Sequence, residues 1–416
     1  MIANQQRYWD WVMALAQITD PDLPHTRRSF SERFLQGRAW LRAEMEKLGL
    51  HVRIDTAGNL IGRLEGSQPQ LGVLMTGSHS DSVPNGGRFD GIAGVIAGLE
   101  LIASCKERGY VPRHSIEIVD FLAEEPSEWG ISCVGSRGIT GFMDEKLQNT
   151  AHPKTGELLK DAVSRMGGDH NALSKRSDIK AFFELHIEQG AVLEHEHITV
   201  GVVSSIVGIL RLAMTFKGQA AHAGTTPMHI RRDAFTAASE TAYQASLLAN
   251  EIATQGRVDG SVYFTATCGQ VFNTPNASNV VPGKTQLVFD IRSDDKPSME
   301  HFAEQLRTLA EQAAANARVE LIDFERMTDT YPMQCDTQLM QYIADAAQAQ
   351  GISHKVMPSG AGHDAAFMCY VAPSAMVFVP SVEGKSHCPE EYTSPEDLAA
   401  GVAVLIDAMQ RFDQAR

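Results

Sequence analysis

Four nearly uninterrupted apolar runs set the architecture of this chain: LGVLMTGSH (71–79), SIEIVDFLA (115–123), KAFFELH (180–186) and SAMVFVP (374–380). A strand that is apolar on both sides has no face to give to water, so each run belongs inside a sheet with helices on both faces. Between the first two runs lies a helical pattern from about Gly91 to Glu107. Strand, helix and strand in that order imply a right-handed crossover and a parallel or mixed sheet, which makes the fold class α/β.

Two amphipathic helices are expected earlier, over 5–18 and 29–48, followed by a hairpin whose turn is Ala57-Gly58-Asn59. The pattern changes between Leu212 and Met327. There it predicts a strand (212–217), a helix (230–253), strands at 261–272 and 284–292, a helix (297–315) and a strand (318–324). That βαββαβ order is the ferredoxin-like split βαβ sandwich. The chain then returns to helix and buried strand and ends in a helix over 395–412. The expectation is therefore a main domain of residues 1–211 and 328–416 interrupted by an α+β domain of residues 212–327.

Acidic residues (51) outnumber Lys and Arg (36), for a formal charge of −15, and no basic cluster interrupts that background, which argues against a nucleic-acid partner. No stretch approaches the ~20 apolar residues of a membrane span, and the opening MIANQQRYWDWVMALAQ lacks the apolar core of a secretory signal, so a cytoplasmic protein without a membrane partner is expected. The six cysteines form no CxxC pair. Neither a disulfide framework nor a zinc knuckle is indicated.

The groups that carry chemistry fall at one kind of place. His79, Glu124, Glu125, His186 and His387 all lie at or just beyond the carboxyl end of an expected strand, the edge where open α/β sheets bind ligands. Imidazoles and carboxylates converging there suit Zn²⁺, Mn²⁺ or a similar ion. His79-x-Asp81 puts both side chains on one side of an extended backbone, so Asp81 can orient the imidazole. Asp90, after a Pro-Asn-Gly-Gly turn, could bridge two ions. Adjacent Glu124 and Glu125 would diverge, so that one binds metal while the other serves as general base.

The segments GSHSDSVPNGGRFDG, AEEPSEWGISCVGSRGITG, ELHIEQGAVLE, GQAAHAGTTPM, NVVPGKTQLVFDIRS, GAGHDA and GKSHCPEEYT occur in an order that resembles the M20-type metallo-amidohydrolases. The resemblance is closest to the N-carbamoyl-L-amino acid hydrolase and allantoate amidohydrolase branch. It implies two divalent ions per subunit, Zn²⁺ or Mn²⁺ with Co²⁺ or Ni²⁺ as further options. His79, Asp90 and His186 would hold one; Asp90, Glu125 and His387 would hold the other. Glu124 would be the base and Asp81 the orienter. The inserted domain would be a lid and dimerisation domain of a homodimer, from which His222, Asn279 and Arg292 reach a small carboxylate substrate, some of them across the subunit boundary. Gln189 and Gly360 would be further substrate contacts, and His222 would steady the oxyanion. The implied reaction is hydrolysis of a carbamoyl or ureido C–N bond. A dinuclear di- or aminopeptidase is the alternative, which the histidine of ELHIEQG disfavours.

Two departures from the common pattern fall near the expected pocket: Pro126-Ser127-Glu128-Trp129, and Cys388 after the last ligand histidine. His114, His170, His195, His197, His229 and His354 have no surrounding motif and are expected in surface or structural roles. His363 stands open between helix-start polarity and lining a pocket. The glycine pairs lack any phosphate-binding form, and Cys133 and Cys388 lack the surroundings of an activated thiolate.

Overall fold

The computed structural model describes residues 3–260 and 262–415. In chain order its strands are β1 (His51–Ile54), β2 (Leu60–Leu64), β3 (Val73–His79), β4 (Ser115–Phe121), β5 (Ile179–Ile187), β6 (Val200–Ile206), β7 (Gly208–Lys217), β8 (Ala221–His222), β9 (Phe264–Thr274), β10 (Val280–Val281), β11 (Lys284–Ser293), β12 (Glu320–Asp329), β13 (Met333–Gln334), β14 (His354–Ser359) and β15 (Ser374–Val379). They are distributed over two compact units. One runs through Ser204 and resumes over Cys335–Met357 and from His363 onward; the other comprises Ser205–Gln334 and Pro358–Gly362.

In the first unit the strand order is β1-β2-β4-β3-β5-β15-β6. β3 runs parallel to both β4 and β5, and β15 runs parallel to β5, whereas β2 is antiparallel to β1 and β4, and β6 is antiparallel to β15. Register puts His79 beside Phe121 and His186 beside Phe378, so the carboxyl ends of the four apolar runs meet at one edge. Every residue of β3, β4 and β15 is buried. The helix Ile92–Glu107 is buried from Ile92 to Cys105, as a helix between a sheet and further helices must be. The helix Glu32–Lys47 starts with its Ser31 side chain accepting from the Phe34 amide. It is fastened to β4 by a buried ion pair: Arg38 Nε donates to Asp120 Oδ2 at 2.9 Å.

The second unit holds a four-stranded antiparallel sheet in the order β12-β7-β11-β9. β11 alternates strictly, with Thr285, Leu287, Phe289, Ile291 and Ser293 buried. That face packs against the helices Ala234–Asp259 and Lys296–Ala317, the latter presenting Met299, Phe302, Ala303, Leu306 and Ala310 at helical spacing. Full burial of each large apolar side chain here stabilises the unit by roughly 1.5–3 kcal/mol. The unit extends past the expected 212–327 at both ends, because β7 begins at Gly208 and Met333–Gln334 pairs with the end of β6. Among the described residues, no helix is long and apolar enough to cross a membrane.

Candidate metal centre

At the shared edge of the first unit, three imidazoles converge on one carboxylate. Nε2 of His79 and of His186 lie 3.5 and 3.2 Å from Asp90 Oδ1, and Nε2 of His387 lies 3.0 Å from Asp90 Oδ2. His387 Nε2 also approaches Glu125 Oε1 at 3.1 Å. The other ring nitrogens of the two buried histidines are occupied by carbonyls: His79 Nδ1 faces Asp81 O at 3.0 Å and His186 Nδ1 faces Ile187 O at 2.9 Å. A carbonyl can only accept, so each Nδ1 carries a proton and each ring turns its Nε2 toward Asp90. Three Nε2 atoms and the carboxylate oxygens of Asp90 and Glu125 thus converge on one region, and this donor set of nitrogen and oxygen fits a divalent metal ion.

Electrostatics agree. Burial pushes Asp90 upward, but its contacts with the three histidines outweigh that and hold it well below the usual carboxylate range. Burial resists charge on His79 and His186, yet the surrounding acids hold both above the ordinary imidazole value, Glu124 and Asp90 foremost for His79, and Asp90 and then Glu184 for His186. Contacts with Asp90 and Glu125 push His387 up to about 11. So strong a demand for positive charge is what a site for cations produces. His79, Asp90 and His186 present ligand atoms within 4.8 Å of one another, as do Asp90, Glu125 and His387.

Glu124 lies beside this pair of triads, with Oε2 3.6 Å from His79 Nε2. Burial, reinforced by Glu125, Asp364 and Asp81, raises its carboxyl well above the usual range despite the opposing pull of His79. Asp81 is fully buried and its carboxylate stands 3.6 Å from His79 Nδ1, while the hydrogen-bonding partner of that nitrogen is the Asp81 carbonyl. The carboxylate instead accepts the Glu124 and Glu125 amides, both at 3.3 Å, and so ties the end of β3 to the turn after β4. Gln189, in the left-handed region at φ 59°, donates to Asp90 Oδ2 at 2.9 Å.

The remaining predicted site residues lie in the second unit. His222 is exposed, and its Nδ1 accepts the Gly224 and Thr225 amides at 3.1 and 3.2 Å. That fixes the tautomer that carries hydrogen on Nε2. β8 pairs His222 with Val280, next to Asn279, whose carbonyl accepts the Ala223 amide. Arg292 donates to Asp290 at 2.8 Å and to the Gly360 carbonyl at 2.9 Å.

The sequence reading assigned no role to several buried groups here. Glu391 accepts the Phe89 and Asp90 amides at 2.8 and 3.1 Å. Glu184 accepts from Ser78 at 2.7 Å and from the Ala365 amide at 3.2 Å, and with His186 and His363 it forms a third buried group of metal-ligating type. The i, i+2 spacing of Glu184 and His186 in a strand was the available signal. His363 is buried with its ring 4.5 Å from that of His186. Cys133 is buried and its Sγ lies 3.5 Å from Glu124 Oε1; burial, with Glu124 and Asp364, raises the thiol well above its usual range, the opposite of a nucleophile. The Pro126–Trp129 departure is accommodated by burying Trp129 against Phe30 and His152, with its Nε1 donating to Glu157 O at 2.8 Å.

Residues 75–411 match peptidase family M20/M25/M40. The chain is 37% identical to an N-carbamoyl-L-amino-acid amidohydrolase of Paenarthrobacter aurescens, over 94% of this chain and 93% of that protein. It is 36% identical to a ureidoglycolate hydrolase of Oryza sativa subsp. japonica, over 95% of this chain and 82% of that protein. A hydantoinase/carbamoylase family amidase from Burkholderia multivorans superposes with a TM-score of 0.91 at 35% identity, covering 99% of this chain and 98% of the other.

Proposed function

The chain belongs to peptidase family M20/M25/M40, and from that premise we propose that it is a metal-dependent amidohydrolase cleaving the carbamoyl or ureido C–N bond of a small carboxylate substrate. The observation that carries the reading is Asp90, whose carboxylate is faced by three imidazole nitrogens. Its relatives' activities on N-carbamoyl-L-amino acids and ureidoglycolate support the bond type.

On this reading His79, Asp90 and His186 would hold one divalent ion and Asp90, Glu125 and His387 a second, Zn²⁺ or Mn²⁺ by donor type. Bound there, the ions would supply Lewis acidity for the carbonyl and for the attacking water. Glu124, with its raised affinity for a proton, takes the proton from that water on one carboxylate oxygen and returns it to the departing nitrogen. Asp81 keeps Glu124 and Glu125 in place through their amides.

We assign the second unit, with its βαββαβ order, the part of a ferredoxin-like lid and dimerisation domain. His222 Nε2–H, held in its tautomer by two amides, suits donation to a developing oxyanion. Arg292 suits a substrate carboxylate, with Asn279, Gly360 and Gln189 as further contacts. The test is reversible metal dependence: chelator-stripped protein should release no ammonia from a ureido substrate and should regain the activity with Mn²⁺ or Zn²⁺. Full activity without metal would overturn the reading.

A further inference from the structure

A buried carboxylate outside every ligand set described above connects the two halves of the second triad. Glu391 is fully buried. Its Oε1 accepts the backbone amides of Phe89 and Asp90 at 2.8 and 3.1 Å, across 302 and 301 residues of sequence. Its Oε2 accepts from Ser386 Oγ at 3.1 Å, and the same hydroxyl stands 3.1 Å from Asp90 Oδ2. Ser386 immediately precedes His387, so one side chain grips both the turn that bears Asp90 and the loop that bears His387. The fit is tight enough to dictate a neighbour: a Cβ on Gly87 would fall 1.9 Å from the Glu391 carboxylate. The aromatic contacts of Phe89 with Tyr392 (5.9 Å) and of Trp9 with both rings flank the same junction.

We propose that Glu391 is a positioning residue that assembles the Asp90–Glu125–His387 half of the centre. Besides the Phe89–Tyr392 ring contact, the polar contacts among the described residues that otherwise join the Asp90 turn to the His387 loop are those of Ser386, of Gln189 and of His387 with Asp90 itself. Two amide donors and one hydroxyl donor converge on Glu391, and the two amide bonds hold the backbone from which the Asp90 carboxylate projects. Substitutions of groups that orient metal ligands commonly weaken metal binding about 10–100-fold. The proposal rests on the two-ion reading given above.

The test counts metal directly. Wild type, Glu391→Ala, Glu391→Gln and Ser386→Ala proteins are stripped, titrated with Mn²⁺, and followed by electron paramagnetic resonance and by metal content after dialysis. The expected result is two ions in wild type and, in Glu391→Ala, one ion retained with the second weakened about 10–100-fold. Glu391→Gln, whose amide oxygen still accepts both backbone N–H groups, should recover most of the second site. Ser386→Ala, which loses only a hydroxyl, should show a smaller weakening and serves as the test if Glu391→Ala does not fold. Two ions held at wild-type affinity in Glu391→Ala, or in Ser386→Ala where only that variant folds, would overturn the proposal alone, whatever the loss in thermal stability. A wild type that holds a single ion would overturn the two-ion reading and this proposal with it.

Discussion

Gly91 offers the sharpest steric test of how the centre is built. Its φ is +66°, and a Cβ there would stand 2.5 Å from Cε1, Nε2 and the carbonyl oxygen of His79. Ordinary contact begins near 3.4 Å, so in Gly91→Ala the imidazole or its strand must retreat by about 1 Å; a displacement of that size in a catalytic constellation costs about 100-fold in rate, or ~2.7 kcal/mol of barrier. With ψ at −45° the positive φ also lies outside the left-handed helical well, so the backbone itself is strained for any residue but glycine. A control lies in the same unit: Gly109 has φ +62° and open space around its missing Cβ. Gly109→Ala should bear the strain and keep full activity, whereas Gly91→Ala should lose about 100-fold in kcat/KM and weaken metal binding. Urea denaturation, metal content and steady-state kinetics on the two variants separate the effects. Wild-type metal binding and activity in Gly91→Ala, or equal activity losses in both, would refute the argument.

Three further substitutions probe other parts of the molecule. Glu124→Gln should keep its metal and its melting temperature while turnover falls by at least about 10²–10⁴-fold, the usual contribution of a general base; near-normal turnover would remove Glu124 from the mechanism. Arg38→Met strands Asp120, whose Oδ1 already lacks a partner, and should cost about 3–5 kcal/mol in urea denaturation, part of which Asp120→Asn should restore in the double variant; a loss below about 1 kcal/mol would contradict the buried-pair account. Burial pushes Asp413 up, but the His114 amide, the Tyr110 hydroxyl and the Arg113 amide outweigh it and hold its pKa below the ordinary value. A depressed carboxylate stabilises the fold above its unfolded pKa and loses that contribution as pH falls through the folded one. The stability gap between wild type and Asp413→Asn should therefore be full above about pH 4 and shrink below it; a gap unchanged by acid would show that the anion is not its source.

The main sheet was legible because apolar runs that end in His or Glu leave little choice. His79 closes β3, His186 is the last residue but one of β5, and Glu124 follows β4, so placing the strands also placed the groups at their ends. β6, β13 and β14 were missed: β13 has only two residues, and β6 and β14 mix small, polar and apolar residues without a clear period. In the inserted unit the order of elements was readable but its ends were not, since β7 and β12 run beyond their apolar cores as antiparallel edge pairing continues. Glu391 escaped because its role lies in accepting amides some 300 residues away, a relation that no local pattern encodes. The Asp81 carboxylate, expected on the His79 ring, engages the amides after β4 instead, because the neighbouring carbonyl reaches Nδ1 first.

The most direct test of the central claim is ammonia release by metal-reconstituted protein offered N-carbamoyl-L-amino acids, allantoate, ureidoglycolate and dipeptides side by side. Ammonia from at least one ureido compound, with the dipeptides left intact, is the predicted result. Cleavage of dipeptides with every ureido compound untouched would contradict it.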